Sequence, residues 1–255
     1  MTSADVAGLL GVAQATVKRW ADAGYLPCDR TAGQHRRFQL EDIERFRETQ
    51  ALGAASSVGP WIDILLSRAD IHAVHARLLS DRARLGSWHA VATGLAPVLV
   101  EIGQRWQTGA ISVIEEHIAS ELLSRALARC AEAIPIHSGG TRVLLATAED
   151  EEHTLGLALV ELVAREANAT TLWAGEPTPT SALVKSMESG IADVLAISAS
   201  SIRDPKQLRK DAKRLIAAAR PRGTRILFGG GGHWPEIPEP HARPSDFRAL
   251  HEWLS

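Results

Sequence analysis

The chain has 255 residues, 45% of them apolar, with 28 basic and 30 acidic side chains and a formal net charge of −2. That length suits two or three compact domains with real cores and excludes a disordered chain, while the balanced charge excludes wholesale coating of nucleic acid but not a local basic patch. Cys28 and Cys130 match no zinc or redox spacing, the start lacks a signal-peptide pattern, and no stretch approaches roughly 18 uninterrupted apolar residues. The expectation is a reduced, cytoplasmic protein with no membrane partner.

Residues 1–50 read as short helical pieces with turn signals. SADVAGLL is a helix capped by Thr2 or Ser3, Gly11 ends it, and VAQATVKRWADAGYL forms a second helix after a tight turn. Gln14, Thr16, Lys18 and Arg19 fall in the first turns of that second helix, where a recognition helix presents side chains to the major groove. Arg30, His35, Arg36 and Arg37 then gather around Gly33, with no acid from Thr31 to Leu40, so a turn carries concentrated positive charge. The bland alternative is a small helical domain with a solvated basic loop. The charges of this domain nearly cancel, so DNA affinity needs more than one copy. The stretch ending in residues 51–60 is rich in Ala, Gly and Ser and is closed by Pro60, the composition of a linker.

Residues 61–137 carry helical periodicity without a strand. On a helix drawn from Ile111 at about 100° per residue, Ile111, Ile114, Ile118 and Leu122 share one face. Val113, Ser120, Leu123 and Leu127 share another, with Glu116 among them and His117 between the two. A carboxylate on such a stripe is costly unless paired, hydrated or used. The pattern predicts a helix packed on two sides with a carboxylate and an imidazole facing something polar; an internal salt bridge is the alternative. Trp106, judged singly, reads as core.

Residues 138–255 alternate short apolar runs with amphipathic ones. RVLLATA, TTLWAG, DVLAISAS and TRILFGG are strands, and LGLALVELVAREA, TSALVKSMES and PKQLRKDAKRLIAAA are the helices between them. This is βαβ grammar and predicts a Rossmann-like, doubly wound parallel sheet. EDEEH is then a loop at the carboxyl end of the first strand, where such sheets bind ligands, with His153 at the mouth and Gly156 letting the next helix start close to a ligand. Neutral imidazole is a good metal ligand, and a carboxylate on its other nitrogen fixes tautomer and orientation. The alternative is a histidine at a helix start with no metal. Ser198 and the pair Gly229-Gly230 close two later strands, and SDFRALHEWL is a final helix.

Three motifs carry resemblances. RT-x-G-x-HRRF, here Arg30 to Phe38 with Gln34 in place of a usual glycine, resembles the wing of MerR-type winged helix-turn-helix regulators. Trp106 followed after nine residues by Glu116-His117 resembles the W-x9-E-H signature of cobalamin photoreceptors of the CarH/LitR type. Glu149, Glu151, His153 and Gly156 are similar to the cobalamin motif E-x-D-x-H-x-x-G, with Glu151 in place of aspartate.

The resemblance implies a multidomain α and α/β protein: winged helix, linker, four-helix-bundle cap at 61–137 and cobalamin-binding sheet at 138–255. It implies that His153 is the lower axial ligand of cobalt, oriented by Glu151. Ser198, Gly229 and Gly230 would make room for the displaced nucleotide tail. Trp106 would pack on the adenosyl group and Glu116, beside His117, would help bind it, while the wing grips phosphates. The implied function is a repressor, not an enzyme, that senses light through adenosylcobalamin. It would form a homo-oligomer, a tetramer in known relatives, on double-stranded operator DNA in the dark and release it on photolysis.

Two departures stand out. Gln107 replaces the histidine that in some relatives follows the motif tryptophan, and the last helix–strand pair is shortened, leaving the edge of the tail pocket open. Competing readings are a MerR-like regulator using the same fold for another ligand or a protein partner, and a corrinoid methyl-transfer module.

Overall fold

The structure, a computed structural model, describes the chain outside residues 11–13, 15–16, 19–20, 22–25, 31–35, 45, 47–57, 68–69, 137–138 and 176–177, and only the backbone of Leu10 and Arg30. It divides into two units, Met1–Ser57 and Val58–Ser255.

In the first unit, α1 (Ser3–Leu10) is capped by Thr2, whose Oγ1 accepts from the Asp5 amide at 3.2 Å while its own amide donates to the Asp5 carboxylate at 2.8 Å. The cap is therefore Thr2 and not Ser3, because this reciprocal pair satisfies two otherwise orphaned donors. Strands β1 (Asp29–Arg30) and β2 (Arg36–Arg37) pair antiparallel, Asp29 opposite Arg37 and Arg30 opposite Arg36. Val6, Val17, Leu26, Phe38, Ile43 and Phe46 form the core. Gly11 and Gly33 lie outside the described residues.

The second unit opens with four helices: α2 (Val58–Ser67), α3 (Ile71–Leu85), α4 (Trp88–Gln107) and α5 (Val113–Glu132). Helix α2 starts inside the expected linker. Pro60 sits in its first turn, where a missing N–H removes no intrahelical bond. Asp70, Ser87 and Ser112 cap α3, α4 and α5, and Ser112 with Glu115 forms a full capping box. Around the buried Trp61, its indole N–H donates to Asp81 at 3.1 Å, and Arg77 and Arg84 neutralise that carboxylate.

The expected two-sided packing of α5 is not found. The helix begins only at Val113, so Ile111 precedes it, and Ile114 and Ile118 are 64% and 43% exposed. Ala119, Leu123, Ala126 and Leu127 supply the buried face, which meets α3 and α6. Val113, assigned to the other stripe, is also exposed, because it lies in the first turn, ahead of that contact.

The sheet follows. Strands β3 (Arg142–Thr147), β4 (Thr170–Trp173), β5 (Val194–Ser198) and β6 (Arg225–Gly229) are all parallel in the order β4-β3-β5-β6. Their connections are α6 (Leu155–Glu166), α7 (Thr180–Ser189) and α8 (Pro205–Ala219), and α9 (Phe247–Leu254) ends the chain. Val143, Leu145, Val194, Ala196 and Leu227 share a core with α6 and α9, whereas Leu144, Ala146, Leu195, Ile197, Ile226 and Phe228 share one with α7 and α8. Both faces are therefore covered, as the near-continuous apolar strands require. The first of these cores also includes Trp61, Leu65, Leu95, Leu123 and Leu127, so the helical part and one face of the sheet are a single apolar body.

The shortened C-terminal element is one parallel bridge, Leu227 to Ala242, in which Phe228 donates to the Ala242 carbonyl and Ala242 to that of Ile226. Asp246 then caps α9 by accepting from Ala249 at 2.8 Å.

Candidate functional site

The strand order reverses between β3 and β5, and the loops that leave their carboxyl ends diverge there. The loop after β3 passes through Asp150, whose φ of 62° makes the tight turn that carries Glu151 inward. Glu151 is buried. Its Oε1 accepts from the His153 amide at 3.0 Å and faces the His153 Nδ1 at 2.5 Å, and its Oε2 accepts from the Ser200 amide at 2.7 Å and hydroxyl at 2.6 Å. Arg203 Nε lies 3.7 Å from the same oxygen and, though buried, has no hydrogen-bond acceptor among the described residues. Burial pushes the Glu151 carboxyl up, but the Ser200 and His153 donors together outweigh it and hold it at about 2.

The ring of His153 is largely exposed while its carboxylate partner is not. With Nδ1 given to Glu151, Nε2 is the nitrogen left to accept a metal, the arrangement that a carboxylate behind a ligating imidazole produces.

Beside this loop lies a cavity of about 270 Å3, lined by Gly156, Ser198, Gly229 and Gly230 with apolar walls from α6 and α9. The three residues expected at the tail pocket, Ser198, Gly229 and Gly230, thus line one cavity together with Gly156. Gly230 has φ of +77°, and a Cβ there would fall 2.2 Å from the Ala199 carbonyl oxygen, so only glycine fits. At Gly156 a Cβ would meet nothing nearer than Ser198 Oγ at 3.9 Å; this glycine keeps the cavity open and relieves no clash. The edge expected to be open is walled by Pro244, Ser245 and Asp246, because the bridge at Ala242 returns the chain alongside β6.

Glu149 is placed differently from its motif partners. Its carboxylate accepts from the Thr180 amide at 3.2 Å, occupying the N-terminus of α7, which has no side-chain cap of its own. Ser200 and Arg203 went unread in the sequence. The signal for them was topological: β5 neighbours β3, so polar residues a few places past Ser198 face the first loop.

Trp106, near the end of α4, is 44% exposed and is not core. The Glu116 carboxylate accepts from Ser120 Oγ at 2.6 Å and faces His117 Nδ1 at 2.7 Å, so the internal pair is present. Among the described residues no hydrogen bond or ion pair joins Trp106, Glu116 or His117 to the 149–156 loop. A further cluster, His89, Glu166 and His251, holds its ligating atoms within 4.8 Å of one another, but Glu166 there accepts from the Trp88 and His89 amides at the start of α4 and pairs with Arg82.

In the first unit, Gln14 and Lys18 are exposed on helical backbone, Arg37 is exposed and Arg36 half-buried on β2. Thr16, Arg19, His35 and the side chain of Arg30 lie outside the described residues. No helix among those described is long and apolar enough to cross a membrane.

Comparison with known proteins gives two family matches, a helix-turn-helix domain at residues 1–51 and a B12 binding domain at residues 73–131. The chain is 29% identical over 138 residues, 53% of its length, to the HTH-type transcriptional repressor CarH of Myxococcus xanthus, and 27% identical over 157 residues, 61% of its length, to the repressor CarA of the same organism. These matches span about half of each relative, 45% and 52%. A cobalamin-binding protein from Desulfitobacterium hafniense is similar at 18% identity over 72% of this chain and 82% of its own, with a TM-score of 0.32, which adds nothing to the topology described above. The chain is thus similar, over part of its length, to the CarH and CarA repressors, with matches to a helix-turn-helix domain and a B12 binding domain in that order.

Proposed function

We propose that this protein is a light-responsive transcriptional repressor that uses adenosylcobalamin as its sensor. The observation that carries the reading is the exposed His153 imidazole, held through Nδ1 by a buried, ionised Glu151 at the mouth of a parallel sheet and beside a glycine-lined cavity. The donor set fits a corrinoid. At about 270 Å3 the cavity falls just below the roughly 300–1,000 Å3 of whole small-molecule sites, so it suits one limb of a larger ligand.

In this reading His153 Nε2 holds cobalt and Glu151 fixes the ring, with Ser200 and Arg203 fixing Glu151. Gly156, Ser198, Gly229 and Gly230 admit the tail. Trp106, Glu116 and the exposed Ile114 and Ile118, with His117 beside Glu116, would supply the cap surface that holds the bound group. When bound, the cofactor supplies a cobalt–carbon bond that light breaks. In the same reading Gln14, Thr16, Lys18 and Arg19 would read bases, and Arg30, His35, Arg36 and Arg37 would grip phosphates. Residues 1–57 hold seven basic and seven acidic side chains, so one head binds weakly and a dark tetramer gathers several on the operator. The family relatives named as repressors favour a regulator over a methyl-transfer enzyme.

Gel filtration of the apoprotein with adenosylcobalamin, dark and then illuminated, tests this. The expected result is co-elution of corrin and protein in a larger species that breaks down in light. Absence of co-elution would overturn cobalamin sensing, and co-elution indifferent to light would overturn the photoreceptor role. Because Gln107 stands where some relatives have histidine, the illuminated complex is expected to lack a stable bis-histidine spectrum.

A further inference from the structure

Helix α8 carries a charge pattern that the cobalamin site does not use. Residues 204–225 hold eight basic side chains against two acids, in a chain of net charge −2, which leaves the remainder at −8. At about 100° per residue, Lys206, Arg209, Lys210, Lys213 and Arg214 fall on one side of the helix, and all five are exposed. Leu208, Ala212, Leu215 and Ala219 on the opposite side are buried in the core that also holds Ile226 and Phe228. The helix's only acid, Asp211, is buried, with both oxygens accepting from Gln207 at 3.0 Å. Asp204 is occupied as the N-cap, accepting from the Lys206 amide at 3.0 Å. Arg220, also exposed, extends the row past the helix end, while the Arg222 guanidinium donates to the Glu188 carbonyl at 2.6 Å.

The chemistry of the face narrows its partner. A membrane-surface helix inserts its apolar side, and here that side is consumed by the core. A protein interface sets arginine among aromatic anchors and is poor in lysine, and the outward positions of α8 offer no aromatic and three lysines. What remains is a row of long-chain cations on a rigid backbone, about 12 Å from Lys206 to Arg214 at roughly 1.5 Å per residue, which suits a surface of dense, regularly spaced negative charge. Duplex DNA carries one such charge per roughly 1.7 Å of axis. The head cannot supply this attraction from net charge, since its seven basic and seven acidic residues cancel.

We propose that the outer face of α8 is a second DNA contact, gripping phosphates and supplying sequence-independent affinity to the complex that the head specifies. The inference rests on the reading that the head binds DNA.

The test is fluorescence anisotropy of the full chain on a duplex of arbitrary sequence, over about 50 to 200 mM salt, the range in which phosphate contacts dominate. Wild type is compared with Lys206→Gln/Lys210→Gln/Lys213→Gln, with Arg209→Gln/Arg214→Gln, and with Arg36→Gln/Arg37→Gln in the head. These exposed changes to glutamine preserve helix propensity, and circular dichroism checks the fold. At about 0.9 in log–log slope per phosphate contact, the triple variant is expected to lose about 2 to 3 and the double variant about 2, with affinity at the lowest salt down at least tenfold. If both α8 variants keep the wild-type slope while the head variant loses it, the α8 contact is wrong and the head reading stands. If wild type binds no duplex, both readings fall. Binding to phosphatidylserine vesicles that tracks the α8 cations, with DNA binding unchanged, would also overturn the proposal.

Discussion

Glu151 is one methylene longer than the aspartate usual in the motif it resembles, and the extra reach is used: one oxygen serves the amide and ring of His153, the other the amide and hydroxyl of Ser200. Replacing it with glutamine keeps the volume but swaps one acceptor for a donor and removes the charge facing Arg203. Outer partners of this kind are worth about 10- to 100-fold in metal affinity, so Glu151→Gln is expected to weaken corrinoid binding by that factor in an absorbance titration. An unchanged affinity would show that the carboxylate does not orient the ligand. At this scale the sequence was legible wherever partners are close along the chain. Glu151, His153 and Gly156 lie within one loop and helix start, and their motif spells their proximity. Ser200 and Arg203 arrive from another strand's loop, and nothing local to them signals a role.

Among the elements, the short C-terminal segment gains definition from His241. It is buried, and its Nδ1 accepts from the Ile226 amide at 3.1 Å, which requires that nitrogen to be unprotonated. Burial, and then the Arg220 charge, hold its pKa below the ordinary value. A depressed histidine is neutral in the fold while the unfolded chain begins to bind protons near pH 6.5. The stabilisation is therefore complete above that pH and is lost as pH falls through the folded value. Between about pH 7.5 and 5, wild type is expected to lose more thermal stability than His241→Asn, whose Oδ1 can take the same amide. Parallel losses would remove His241 from the account.

Strands and helices of the sheet were read closely from alternation alone, since buried parallel strands are apolar throughout and their helices amphipathic. Helix α5 was read less well. Periodicity identifies stripes but not how far along them a neighbour reaches: Ile111 and Leu122 of the first stripe pack into the core, and Ile114 and Ile118 between them are exposed.

Over the whole molecule, that exposed pair separates folding from assembly. Surface changes away from packed features usually shift stability by no more than about 0.5 kcal/mol each. Ile114→Ser/Ile118→Ser is accordingly expected to melt within about 1 kcal/mol of wild type while losing corrin binding or the large dark species in gel filtration. Retention of both would mean that this side of the cap covers nothing. The change from a helical stretch to alternating strands and helices was legible from composition, but the start of α2 was not. Ala, Gly and Ser read as linker up to Pro60, whereas a proline in a helix's first turn is harmless and α2 starts at Val58.

The apolar body shared by cap and sheet has a mechanical corollary. Leu95, Leu123 and Leu127 belong to the same core as Leu159, Leu162, Val143 and Leu145. Uncovering the five of these leucines that lie on α4, α5 and α6 at about 2 kcal/mol each would cost on the order of 10 kcal/mol, comparable with the roughly 5–15 kcal/mol that holds a domain folded. A cap that swings open like a lid is therefore too costly. A rearrangement that keeps these leucines dry would instead have α4 and α5 slide over α6, the helix they both pack on.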